Sequence, residues 1–127
     1  MTKADALYQF FSSFDLPAYE ENNVYALEEV PDFPYLTYEK NTGAFGETDI
    51  PLTFSLWYRS SAWAAADAKV EEISAFIGRG GYTVAIDGGY MHIMRVDGNF
   101  AQSMGDPLDD MIKRKVCNIT VKFFTNN

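Results

Sequence analysis

The sequence predicts an α+β domain: a mostly antiparallel sheet of about four to five strands packed against two helices, in the order α-β-β-α-β-β-β. Three observations predict it. Two segments space their apolar residues three and four apart, as a helix does when one face is buried. Several other segments alternate apolar and polar residues with the two-residue period of a strand. Asp-Gly pairs punctuate the last third of the chain, where tight hairpins need residues that tolerate positive φ. The strands come in runs rather than alternating strictly with helices, which favours α+β over a parallel doubly wound sheet.

The first helix begins after Thr2, with Asp5 three residues on as a capping-box partner. Leu7, Phe10, Phe11 and Phe14 then form one apolar stripe, and Leu16-Pro17 ends it. Residues 24–30 suit a short extended piece. Pro31 and Pro34 break regular structure around Phe33, and residues 35–40 read as a strand, aromatic and polar by turns. Two glycines make 41-NTGAFGETD-49 a loop or hairpin tip. Residues 51–59 carry the clearest strand pattern. Leu52, Phe54, Leu56 and Tyr58 share the core side; Thr53, Ser55, Trp57 and Arg59 share the other. Trp57 is conspicuous there, a large aromatic on the more polar face.

Ser60 or Ser61 is placed to cap the second helix. Its stripe is Trp63, Ala66, Val70, Ile73 and Ile77; Asp67, Lys69, Glu71 and Glu72 are its wet face. Gly78 or Gly80 closes it. Residues 82–86 and 90–96 flank 87-DGG-89 as a hairpin, and Asp97-Gly98 ends the return strand. Residues 98–111 read as a long loop without secondary structure, a kind of segment that is usually functional or disordered. Residues 114–124 read as the last strand, with Cys117, Ile119, Val121 and Phe123 on one side.

A chain of 127 residues, 47% apolar and 16% aromatic, suits one domain spanning 1–127 with a real core. A single cysteine, Cys117, excludes an internal disulfide framework and reads as a small buried side chain. The start MTKADALYQFF lacks the features of a signal peptide, and no apolar run is long enough to span a membrane. These features point to a soluble protein of a reducing compartment. The formal charge of −8 argues against wrapping nucleic acid.

Catalytic patterns are weak. The one histidine, His92, lies on a hairpin strand, where a lone imidazole is ordinarily a packed or surface group. The acid pairs Glu20-Glu21, Glu28-Glu29 and Asp109-Asp110 are adjacent, so in a strand their carboxyls point to opposite faces. Asp97, Asn99, Asp106, Asp109 and Asp110 lack the spacing of a calcium loop. The run 78-GRGG-81 is followed by no Lys-Ser/Thr pair and by no helix, so it is a turn rather than a phosphate loop. The sequence therefore reads as a non-enzyme without metal or cofactor.

The run 32-DFPYLTYE-39, then 51-PLTFSLWYRS-60, a helix, and finally 99-NFAQSMGDPLDDMIKRKVCNITVKFF-124 resembles the tail terminator, or tail completion, proteins of long-tailed bacteriophages of Gram-positive hosts. The likeness covers nearly the whole chain in order. It implies a structural virion protein, assembled in the host cytoplasm and resident at the tail-neck junction. Such a protein forms a ring, expected to be a hexamer, on the end of the tail tube. It stops tube growth and offers a surface to the neck or connector protein, and DNA passes through without specific binding. No catalytic residue or cofactor comes with the family.

Under that reading, apolar residues in the loops dock on another chain. They are Phe45, Phe100, Met104, Leu108 and Met111, with Trp57 beside them; the competing reading is that they tuck back onto their own domain. Lys113, Arg114 and Lys115 would pair with a neighbour's acids. Glu20, Glu21, Glu28, Glu29, Asp109 and Asp110 are candidates for the interface or for an acidic lumen that repels the DNA backbone. Two rivals remain. One is another neck component, a head-closure or connector protein. The other is a non-viral α+β domain binding a small molecule or peptide in a pocket lined by Trp57, Trp63, Tyr82 and Tyr90.

Overall fold

The computed structural model describes residues 1–24, 29–42 and 49–125. Helix α1 (Lys3–Phe11) starts as its capping box predicts. Thr2 Oγ1 accepts the Asp5 N–H at 3.1 Å, and the Asp5 carboxylate accepts the Thr2 N–H at 3.3 Å. Leu7, Phe10 and Phe11 are buried, and Phe14 joins them from a 3-10 turn (Ser12–Phe14). Asp15 adopts a left-handed φ of 58°, a conformation that Asp tolerates better than most residues, and the chain turns back there.

Seven strands follow: β1 (Ala18–Glu20), β2 (Tyr35–Tyr38), β3 (Ile50–Arg59), β4 (Tyr82–Ile86), β5 (Gly89–Arg95), β6 (Ala101–Gly105) and β7 (Ile112–Phe124). Among the described residues they form one sheet in the order β1-β2-β3-β7-β5-β4, with β6 also paired to β7. β1 runs parallel to β2, and every other pairing is antiparallel. At 13 residues, β7 is the spine. One edge pairs with β3 along residues 112–121; the other pairs with β6 at 113–117 and with β5 at 119–124.

This corrects the α+β expectation of four to five strands and two helices. The sheet is mixed and has seven strands, and the described residues include three α-helices: α1, α2 (Glu21–Val24) and α3 (Ala64–Ile77). The unexpected elements have physical reasons. Ala18–Glu20 is too short to show alternation and exists by pairing with Leu36–Tyr38, a contact no local pattern encodes. α2 is a single turn of four residues. Strand β6 replaces part of the long loop. Its sequence, AQSMG, has little intrinsic strand preference, and it forms because β7 offers an edge for Ala101 to meet Cys117 and Gly105 to meet Lys113.

The helix cap is a second correction. α3 is capped by Trp63, without a side-chain hydrogen bond; Ser60 instead accepts the Ala62 N–H in the preceding turn. Gly78 ends α3 at φ 71° with its N–H on the Ser74 carbonyl, as a glycine stop should. Asp87-Gly88 forms the β4–β5 hairpin turn as expected.

The core lies on one face of the sheet. Leu36, Tyr38, Leu52, Phe54, Leu56, Met91, Ile93, Cys117, Ile119, Val121 and Phe123 point to it, and α1 and α3 cover it with Leu7, Phe10, Phe11, Ile73 and Ile77. Lys69 Nζ on α3 donates to the Phe14 carbonyl of the 3-10 turn at 2.8 Å, and Arg95 on β5 ties sheet to helix by donating to Ser74 Oγ at 2.7 Å. The α1 stripe is therefore a core stripe; in α3, Ala66, Ile73 and Ile77 are buried and Val70 packs on the core, whereas Trp63 is half-buried outside it. The opposite, open face carries the alternate residues of the same strands.

Candidate functional site

The open face is organised by one row across four strands. Tyr35 on β2 is the register partner of Trp57 on β3, Trp57 of Arg114 on β7, and Arg114 of Met104 on β6. Strand alternation puts all four on the same side, and cross-strand neighbours lie close enough to interact. Tyr35 and Trp57 stack at 5.9 Å between centroids and 11° between planes. Trp57 Nε1 donates to Thr37 Oγ1 at 2.9 Å, which fixes the indole in its plane. The Arg114 guanidinium lies 4.5 Å from the Trp57 centroid, a cation–π contact contributing about 0.5–2 kcal/mol. Arg114 Nε donates to Ser55 Oγ at 3.1 Å, and its Nη1 meets Met104 Sδ at 3.6 Å. Among the described residues, no carboxylate lies within ion-pair distance of Arg114.

Beside this row is an open cleft of about 140 Å³, walled by Trp57, Met104, Asp106, Pro107, Ile112 and Arg114. The Asp106 carboxylate is occupied locally, accepting the N–H groups of Leu108 at 2.8 Å and Asp109 at 3.0 Å. Further along the face, Tyr90 and Phe124 are register partners, and Met94 stands near them; their exposures are 56%, 39% and 41%. His92 lies among them, its Nδ1 2.6 Å from Thr83 Oγ1.

The other expected contact residues divide into three groups. Phe100 is half-buried against the core, 6.4 Å from the Phe54 ring, and its carbonyl accepts the Asn118 N–H at 2.7 Å. It tucks back onto its own domain. Met111 is half-buried too, its carbonyl accepting the Ser60 N–H at 2.8 Å. Met104 and Leu108 face solvent, at 42% and 95% exposure. Phe45 and Glu28 lie outside the described residues.

The three consecutive cations have different roles. Lys115 is buried on the helix side, where it pairs with Asp67 at 2.5 Å, donates to Ser103 at 2.7 Å and sits 5.1 Å over the Trp63 ring. Lys113 donates to the Asp110 carbonyl and lies 5.6 Å from the same ring. Only Arg114 reaches the open face.

The acids divide as well. Glu20 is buried beside Tyr38, and after burial itself its charge is the next cause raising that phenol's pKa. Glu21 is half-buried at the start of α2, whereas Glu29 and Asp110 are exposed. Asp109 pairs with Arg59 at 3.1 Å; the Met111 N–H, and then Arg59, hold its carboxyl below the usual range.

Trp57 and Tyr90 lie on the open face, whereas Trp63 contacts the helix-side lysines and Tyr82 packs on Phe10 and Phe76. The four aromatics therefore do not converge on one pocket. Sequence reasoning missed the roles of Tyr35 and Ser55 in orienting Arg114. Strand phase set Tyr90, His92 and Met94 in register on one face; that Phe124 joins them was missed. The registers that set Phe124 beside Tyr90 and Arg114 on Trp57 are long-range and have no local signal. Comparison with family models, with curated proteins and with solved structures returns no match.

Proposed function

We propose that the chain is a structural subunit that closes the tail tube of a long-tailed phage as a ring, expected to contain six copies. The ring would end tube growth and give the neck or connector protein a surface, at the tail-neck junction of the virion. DNA would pass through without specific binding. The supporting observation is the open face of the sheet. Its row ends on an edge strand, β6, that carries no charge and no proline; Met104 and Leu108 are exposed beside it, and Tyr90, Met94 and Phe124 are exposed further along the same face. Monomers usually protect sheet edges with charge, proline or bulges, and they rarely leave apolar groups clustered in water. An open face and a bare edge suit a subunit that is finished by its neighbours.

On this face Arg114 is held by an indole, a hydroxyl and a thioether, contacts that orient it for docking. The 140 Å³ cleft is smaller than the several hundred that a drug-sized ligand fills.

The test is tube polymerisation. Tail tube protein of the parent phage should yield capped tubes of limited length when this protein is present. Tubes that lengthen unchanged, with none of the protein at their ends, would remove the proposal. Binding to the head-side connector but not to the tube end would move the protein to the other side of the neck.

A further inference from the structure

The cleft at Arg114 is shaped for something the rest of the same chain displays. Arg114 is a preorganised guanidinium: Trp57 supports its plane and Ser55 holds Nε, yet among the described residues it has no carboxylate partner. Of the adjoining walls, Trp57, Met104, Pro107 and Ile112 are apolar and Asp106 is acidic. The complement to such a cleft is an aliphatic side chain flanked by a carboxylate.

Residues 29–32, Glu-Val-Pro-Asp, have that character. Val30 is 71% exposed, and Glu29 and Asp32 on either side of it are exposed. Neither acid has an ion pair among the described residues. The segment is irregular and leads into β2 at Tyr35, the start of the same cross-strand row that ends at Arg114 and Met104. β2 lies on the β1 side of the sheet and β6 on the far side of β7. Knob and cleft therefore belong to different flanks of the sheet. Contact between them in two copies is head-to-tail, the type that closes into a ring when the rotation allows.

We infer that Val30 of one copy seats in the Trp57–Met104–Ile112 cleft of the next, with Glu29 or Asp32 of the same segment bonding the Arg114 guanidinium. This rests on the ring reading and names the contact that would propagate it. Charge complementarity selects a second copy as occupant. The chain is strongly acidic, with a formal charge of −8, and two copies repel except where a cation without a carboxylate partner meets acids without a cation. Asp106 also lines the cleft, but among the described residues it forms no ion pair with Arg114, and its Oδ1 is oriented by the N–H groups of Leu108 and Asp109.

The experiment compares full-length variants by native mass spectrometry and sedimentation, alone and with tail tubes. Val30→Asp alters only an exposed side chain and should raise the concentration needed for assembly by about tenfold or more. Arg114→Glu should do the same, and combining it with Glu29→Arg and Asp32→Arg should restore assembly. If Arg114→Glu unfolds, Val30→Asp still decides. Rings that form equally well from Val30→Asp would overturn this contact and leave the ring standing. Dimers or open chains that are sensitive to Val30→Asp would keep the contact and discard the ring. A wild-type chain that never self-associates would discard both.

Discussion

Phe100 and Met104 look alike in the sequence, two apolar residues in a stretch rich in loop formers. The fold separates them, and truncating each to alanine tests that separation. A fully buried Phe→Ala change costs about 3–5 kcal/mol. Phe100 is half-buried, packed on the core and 6.4 Å from the Phe54 ring, so about half of that, roughly 2 kcal/mol, is expected. Met104 is 42% exposed on an edge strand, and its truncation should move stability by about 0.5 kcal/mol or less. Urea unfolding of the monomer reads both. With a slope of about 1–3 kcal/mol per molar, Phe100→Ala should lower the midpoint by roughly 1 M at unchanged slope. Met104→Ala should leave it within roughly a quarter of that. Equal midpoints for the two variants would refute the assignment of Phe100 to the core and of β6 to an exposed edge.

Other substitutions test other parts of the structure. A Cβ at Gly89 would stand 1.7 Å from the Phe124 carbonyl oxygen, a backbone atom held by the β5–β7 pairing, so Gly89→Ala should cost about 1–3 kcal/mol or more in thermal or urea unfolding. Burial pushes the Cys117 thiol up to about 12, against a smaller opposing effect of Lys115; it should therefore resist thiol reagents at pH 8 in the native protein and react once unfolded. The Asp109 carboxyl is depressed by the Met111 N–H and Arg59. A depressed carboxyl stabilises the fold above its unfolded value, near 3.9, and loses that contribution as pH falls through the folded value. Asp109→Asn should thus be less stable than wild type at pH 7, and the difference should vanish near pH 2 in pH-dependent urea titrations. Replacing residues 98–110 with a short linker removes β6 and Phe100 together, so the product should be destabilised as well as impaired in assembly.

Much of the core was legible because periodicity reports burial directly. The stripe Leu7, Phe10, Phe11, Phe14 and the alternation Leu52, Phe54, Leu56 needed only the geometry of one element. Turn chemistry placed the β4–β5 hairpin for the same reason: Asp87-Gly88 is a local device. β1 and β6 were hidden because each is short and is stabilised by a partner distant in sequence, Leu36–Tyr38 for one and β7 for the other. The candidate face was half legible. Trp57 stood out as an aromatic on the wrong side of its strand. That Arg114 lies over it, while Lys113 and Lys115 on either side turn to Trp63, follows from strand alternation combined with a β3–β7 register that only the tertiary structure sets. The equivalence given to the three cations was an error of the same origin.

The central claim is that this chain is finished by copies of itself. Native mass spectrometry of the purified protein, alone and with assembled phage tail tubes, tests it most directly. A closed assembly of six copies, free or formed only on tubes, is the predicted result. A species that stays monomeric at every concentration and leaves the tubes bare would contradict it.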